Sequence, residues 1–157
     1  MALIERTQDT RRATYWPGRI PMNYVYTAGR AGEVFYQKLK AGRFTGAVCE
    51  KCGSVYLPAR MFCERCFERI EGNWVDVPNS GVVESFTVSH ETYDEKPHAP
   101  TIVALIRLDG TDGCLTHWLG KIEPDEVFIG MPVKAVFKPK AKRQGSLLDI
   151  EHFVPAI

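Results

Sequence analysis

No excess charge of either sign marks this chain. Twenty Lys and Arg stand against nineteen Asp and Glu, for a net charge of +1. Without a basic surplus there is no global pull toward nucleic acid or an anionic membrane. No apolar run approaches the ~20 residues of a membrane-spanning helix. Met1 to Arg12 is polar and charged, which predicts no export signal. Internal repeats and low-complexity segments are absent. So are paired carboxylates, a glycine-rich phosphate loop, and a nucleophile beside an oriented base. Histidine is scarce. His90 follows a predicted strand, His98 sits in the loop Lys96-Pro97-His98-Ala99-Pro100, His117 lies on a strand and His152 on the last. A lone strand histidine is more often packed or solvated than catalytic. These absences argue against an independent enzyme.

What is present is a foldable core and four cysteines in two knuckles. Hydrophobic residues make up 45% of the 157, with eight Phe, six Tyr and three Trp, enough for one ordinary domain or a small domain plus a metal-stabilised module. Cys49-Glu-Lys-Cys52 and Cys63-Glu-Arg-Cys66 are separated by ten residues. Each pair can place two thiolates on one ion, and that spacing lets the knuckles close face to face into a tetrahedral shell. Gly53 supplies the positive φ that turns the chain under the metal. Four thiolates leave no open position, so the site is structural, not catalytic. Disulfides suit a small secreted domain instead. Iron of the rubredoxin type takes the same ligands, and zinc is the favoured ion. Reduced thiols and the polar N-terminus together point to the cytoplasm. The fifth cysteine, Cys114, lies in an alternating apolar stretch and reads as a small core residue.

Along the chain, residues 1–43 read as an N-terminal arm and short helix, 44–78 as a zinc ribbon, and 79–157 as an OB-type domain. In the arm, Arg11, Arg12, Tyr15, Trp16, Tyr24 and Tyr26 mix bases and aromatics without periodicity. Pro17 and Pro21 oppose a helix there, and the aromatic load suits docking on a partner. Ala31 to Leu39 predicts a helix with Val34, Phe35 and Leu39 on one stripe, Glu33 in its first turn and Gly42 as its stop. Strands are predicted at Thr45 to Val48 and Val55 to Leu57, with the return beginning at Trp74. Five more follow: Val82 to Val88, Ile102 to Leu108, Cys114 to Leu119, Val133 to Phe137 and Leu147 to Val154. Glu123 to Ile129 interrupts them after the third as a single helical turn. The fold class is therefore mainly β, ending in a five-stranded OB-fold barrel.

Two features suit an anionic ligand. Lys134, Lys138, Lys140, Lys142 and Arg143 cover the fourth barrel strand and the hairpin after it, either as a solvated edge or as a phosphate seat. Arg60, between the knuckles, is a rigidly presented guanidinium able to fork onto phosphate or carboxylate, or to brace the ribbon.

The order of the motifs resembles a known family: zinc-ribbon plus OB-fold proteins once filed as a domain of unknown function and linked to acyl-CoA metabolism. The likeness spans about residues 30 to 154. It is carried by Phe35-Tyr-Gln-Lys-Leu-Lys-Ala-Gly42, Cys49-Glu-Lys-Cys-Gly-Ser-Val-Tyr-Leu-Pro-Ala-Arg60, Cys63 to Cys66, Gly81-Val-Val-Glu-Ser-Phe-Thr-Val88, Ala99-Pro100 and Ile129-Gly-Met-Pro-Val133. Ala59 stands where the family usually has a second proline. The resemblance implies a non-catalytic accessory subunit that docks on a thiolase-superfamily enzyme and helps hold or enclose a CoA thioester, as in a benzoylsuccinyl-CoA-type thiolase. It implies zinc at Cys49, Cys52, Cys63 and Cys66. CoA or acyl-CoA becomes the candidate ligand, with Arg60, Lys138, Lys140 and Lys142 toward its phosphates and Tyr56 and Phe62 as apolar walls. The runner-up is a single-stranded nucleic-acid module, since zinc ribbons and OB barrels often serve that role. The near-neutral charge counts against it.

Overall fold

The computed structural model describes residues 25–90 and 99–156. The arm up to Tyr24 and the loop bearing His98 lie outside the described residues. A helix, α1 (Gly29–Lys40), leads into two sheets. The first is a three-stranded antiparallel ribbon of β1 (Phe44–Val48), β2 (Val55–Tyr56) and β3 (Trp74–Val77), in the order β2-β1-β3. The second is a closed barrel of β4 (Ser80–Ser89), β5 (Thr101–Leu108), β6 (Leu115–Leu119), β7 (Pro132–Phe137) and β8 (Ile150–Pro155), in the order β4-β5-β6-β8-β7. That is the predicted mainly β architecture, with the zinc-ribbon region and the OB-fold sheet in sequence.

Side-chain alternation builds the barrel. In β5 and β6 every second residue points inward, burying Ile102, Ala104, Ile106 and Leu108 on one strand and Leu115, His117 and Leu119 on the next. The β4 pattern is not a simple alternation because a bulge shifts its register between Val83 and Ser85. The strand thereby turns Val83 inward before the bulge and Phe86 toward the core after it. Each fully buried Leu, Ile or Phe contributes roughly 1.5–3 kcal/mol.

The helix starts two residues before its expected beginning, so Glu33 falls outside the first turn and bonds Gln37 instead. Ala31, Phe35 and Leu39 face inward, while Val34 is only half-buried. Gly42, at φ +78°, ends it with its N–H on the Leu39 carbonyl (2.8 Å). The expected turn between the third and fourth barrel strands is a short 3₁₀ turn, Pro124–Glu126.

The fifth barrel strand begins later than expected. Leu147–Asp149 forms a 3₁₀ turn, and the strand starts at Ile150. The cause is local: the Ser146 hydroxyl accepts from the Leu148 N–H, and Asp149 reaches back to the Ser146 N–H. Cys114 lies ahead of β6 and is half-buried, so it is not the core residue expected. Burial pushes its thiol above the usual range, which disfavours a nucleophile.

Ribbon and barrel meet at a built joint. Phe44 of β1 is buried against two barrel rings, Phe137 (centroids 5.2 Å) and Phe153 (6.3 Å). The Asp112 N–H donates to the Val55 carbonyl (2.8 Å), and its carboxylate accepts from the Val55 N–H (2.9 Å). Backbones approach so closely beside it that a Cβ on Gly113 would stand 2.6 Å from the Leu57 carbonyl oxygen.

Candidate metal centre and its surroundings

The sulfurs of Cys49, Cys52, Cys63 and Cys66 lie within 4.8 Å of one another. A tetrahedral ion with ~2.3 Å metal–sulfur bonds separates its ligands by about 3.8 Å. The Cys52–Cys63 sulfur separation is 3.6 Å. The four thiols therefore fit a zinc ion, with no fifth donor among the described residues and no vacant coordination position.

The knuckles share one backbone design. In the first, the Cys49 N–H donates to the Ser54 carbonyl (2.8 Å) and the Gly53 N–H to the Cys49 carbonyl (2.7 Å). In the second, the Cys63 N–H donates to the Glu68 carbonyl (2.9 Å) and the Phe67 N–H to the Cys63 carbonyl (2.9 Å). Cys49 and Cys63 are buried, and Cys52 is exposed. Around the sulfurs, the Tyr56 hydroxyl lies 3.3 Å from Cys63 Sγ and the Cys66 N–H donates to the same sulfur. The tyrosine contact helps draw the Cys63 thiol down to about 6, while hydrogen bonding to Cys52 and burial push Cys66 up to about 12. Thiols this close do not all ionise unaided; a divalent cation supplies the missing charge.

The residues expected to meet a ligand separate into different environments. Tyr56 is 3% exposed and serves the metal's outer shell, so it offers no open wall; its ring is also covered by Arg60 at 5.1 Å. Arg60 is half-exposed and ion-paired to Glu64. Phe62 is exposed at the entrance to the second knuckle.

Lys138, Lys140 and Lys142 belong to the long loop of the β7–β8 hairpin, whose strands pair antiparallel. Lys140–Lys142 is a 3₁₀ turn with both lysines exposed, and Lys138 is half-buried. Arg143 leaves the basic group: its Nε donates to the Lys138 carbonyl (2.6 Å), and its guanidinium lies over the Phe137 ring and against Gly42. It braces the helix end onto the barrel.

Asp149 was not singled out by any sequence pattern. Only 2% exposed, it accepts backbone N–H bonds from Gln144 (2.8 Å), Gly145 (2.7 Å) and Ser146 (3.3 Å), fixing the loop that follows the lysines. Burial pushes its carboxyl up, but the three N–H donors outweigh burial and hold it below the usual range. Its contribution is therefore complete above the ordinary aspartate pKa and is lost as pH falls through the depressed native value. Asp149→Ala is expected to cost about 2–4 kcal/mol at neutral pH. Denaturant unfolding across pH 2 to 7 checks this: the gap between wild type and variant should close on the acid side. A gap that persists at the acid limit assigns the loss to packing.

Of the histidines, His117 points into the barrel beside Phe153 (5.9 Å), with Nε2 3.3 Å from the Leu147 carbonyl. Burial holds it below its usual pKa, so it is neutral at pH 7. His152 is half-buried, with Gly120 packed against its ring, and His90 is exposed. Among the described residues no nucleophile, base and orienting group converge.

Residues 28–71 match the domain described as ChsH2, rubredoxin-like zinc ribbon domain, and residues 74–138 match ChsH2, C-terminal OB-fold domain. The chain is 34% identical over 95 residues to a DUF35 domain-containing scaffold protein of Methanocaldococcus jannaschii, covering 59% of this chain and 66% of that one. A second DUF35 domain-containing scaffold protein, from Methanothermobacter thermautotrophicus, is 31% identical over 103 residues, covering 64% and 75%. A probable enoyl-CoA hydratase alpha subunit of Thermomonospora curvata shares 28% over 104 residues, which is 66% of this chain but 32% of that protein. Among solved structures, a DUF35 protein of unknown function from Sulfolobus solfataricus superposes with a TM-score of 0.60 at 34% identity, covering 69% of this chain and 78% of that one. The Ltp2-ChsH2(DUF35) aldolase superposes with a TM-score of 0.59 at 25% identity, covering 79% and 93%. With both domain types matched in order and three quarters of a curated relative covered, the chain belongs to the DUF35 family.

Proposed function

We propose that this protein is a non-catalytic accessory subunit of an acyl-CoA enzyme, and that its catalytic partner is of the thiolase superfamily. The observation that carries this reading is a metal centre closed by four thiolates in a chain whose described residues assemble no catalytic group. The relatives lend it direction: two are named scaffold proteins, one an enoyl-CoA hydratase subunit, and one solved neighbour is an aldolase in which a ChsH2 (DUF35) chain accompanies Ltp2. The partner supplies the reacting groups. This chain supplies geometry, holding the CoA arm and excluding water around the thioester.

The barrel supports a set of CoA contacts. In an OB fold, ligands meet the outer face of the second and third strands and the loops after the first and fourth. Here the loop after the fourth strand carries Lys138, Lys140 and Lys142, and Asp149 holds its far end in place. Lys140 and Lys142 meet phosphate, whereas Arg60 is already ion-paired to Glu64. In a titration of the assembled complex with CoA, the Lys140→Ala/Lys142→Ala pair is expected to weaken binding roughly ten-fold, about 1.4 kcal/mol. Equal affinity for variant and wild type removes the lysines from the ligand site.

The class of function is tested by a gentle pull-down of the tagged, metal-loaded chain from its native extract, with mass spectrometry of the retained proteins. A stoichiometric thiolase-superfamily enzyme supports the proposal. A different acyl-CoA enzyme keeps the accessory role and discards the superfamily. One observation favours a second reading: Trp118 and Leu105 are partly exposed on the outer face of β5 and β6, where OB proteins stack bases. Retention of single-stranded DNA with a steep salt dependence, and no CoA enzyme, would put nucleic-acid binding first.

A further inference from the structure

The two knuckles differ at one position of their shared turn. Gly53 takes φ +75° in the first; in the second, the residue with the same hydrogen bond is Phe67, at φ +57°. A Cβ in the left-handed region crowds the following carbonyl, so glycine is the favoured residue there and a bulky side chain is a genuine outlier. Phe67 does not recover that cost by burial, for it is 84% exposed. Phe62, 57% exposed, lies on the segment entering the same knuckle and is held by a β-bridge to Arg69. A metal-fixed loop thus presents two aromatic residues outward, one of them in a backbone conformation that folding alone does not favour.

The charges around them nearly cancel. Lys51 pairs with Glu68 and Arg60 with Glu64, Glu71 is shared by Arg69 and Arg30, and Glu50 and Arg65 add one charge of each sign. Such a surface has little net attraction for a phosphate backbone or an anionic membrane. Aromatic anchors ringed by paired charges are the anatomy of a protein interface, where the rim sets register and the anchor fills a pocket. The metal holds the loop in place before contact, so little freedom is lost on binding.

We propose that Phe67, supported by Phe62, is an anchor that inserts into an apolar pocket of the catalytic acyl-CoA subunit. This rests on the accessory-subunit reading above. The test compares wild type with Phe67→Gly and Phe67→Asn, both of which tolerate the left-handed conformation. Each full-length, metal-loaded chain is used to retain the catalytic subunit from the same extract, alongside zinc content, melting temperature and sedimentation. Both variants are expected to keep one zinc per chain, with Phe67→Gly melting no lower than wild type, and to retain roughly ten- to thirty-fold less catalytic subunit. If all three retain it equally, the anchor is wrong and the accessory role stands. If none retains an acyl-CoA enzyme, the accessory role fails and the anchor with it. Loss of zinc or a lowered melting temperature in the glycine variant assigns Phe67 to the ribbon's own stability. A wild-type self-association that the variants abolish makes a second copy the occupant. Either of these last two results overturns the proposal.

Discussion

Cys52→Ser is expected to empty the metal centre and unfold the ribbon while leaving the barrel strands folded. The ribbon sheet has three strands, one of them only two residues long, and two of its buried side chains, Cys49 and Cys63, are the metal's own ligands. A module of that size lacks the core to hold itself, and the ion replaces one. Cys52 is the exposed ligand, so its replacement removes a metal bond without carving a cavity. The barrel is closed by its own hydrogen bonds, and although its core runs on into the ribbon's through Phe44, most of its interior comes from its own strands. Zinc content should fall from one equivalent to none. Hydrogen exchange should show amides of β1 to β3 losing protection while β5 and β6 keep theirs. A metal-free variant with a fully protected ribbon would show that packing on the barrel suffices.

Phe44→Ala is the second large effect, and it acts on both halves. Phe44 is 1% exposed and lies against Phe137 and Phe153. Truncation leaves a cavity at the joint and costs about 3–5 kcal/mol. For a chain of this size that lowers the melting temperature by roughly 10 °C or more. Unlike the cysteine variant, it should keep its zinc. The distinguishing readout is the joint itself: exchange protection at Val55 and Asp112 should drop before that of the barrel interior. A loss below about 1 kcal/mol would mean that neighbouring rings collapse into the space.

The features legible in the sequence are those with short-range chemistry. The knuckles announce themselves because a metal dictates residue type and spacing. β5 and β6 do so because burial of one face imposes alternation. The late start of β8 was hidden by a competing local pattern: Leu147 and Leu148 look like strand, but Ser146 and Asp149 close a turn over them. Tyr56, read as a ligand wall, points its hydroxyl at a cysteine, and Arg143, read with the lysines, braces the helix end. Both outcomes depend on which partner folding brings near, and no spacing encodes that. The same holds for Phe44 and for Asp149, whose neighbours become visible only in three dimensions. One signal was available: the parallel between the knuckles sets Phe67 opposite Gly53, where a second glycine is the expected residue.

The joint and the strand order constrain how the chain is made. Both knuckles precede every barrel strand, and the loop joining them is short, so the ribbon can gather its metal while the ribosome is still at work on the barrel. The barrel has no such head start. Its last strand sits between β6 and β7, and Phe153, on that strand, is one of the two rings that receive Phe44. Until β8 emerges, the barrel stays open and β6 and β7 have unpaired edges. The newborn chain is therefore most exposed to misassociation just before β8 emerges, with its metal site already complete and its barrel waiting for one strand.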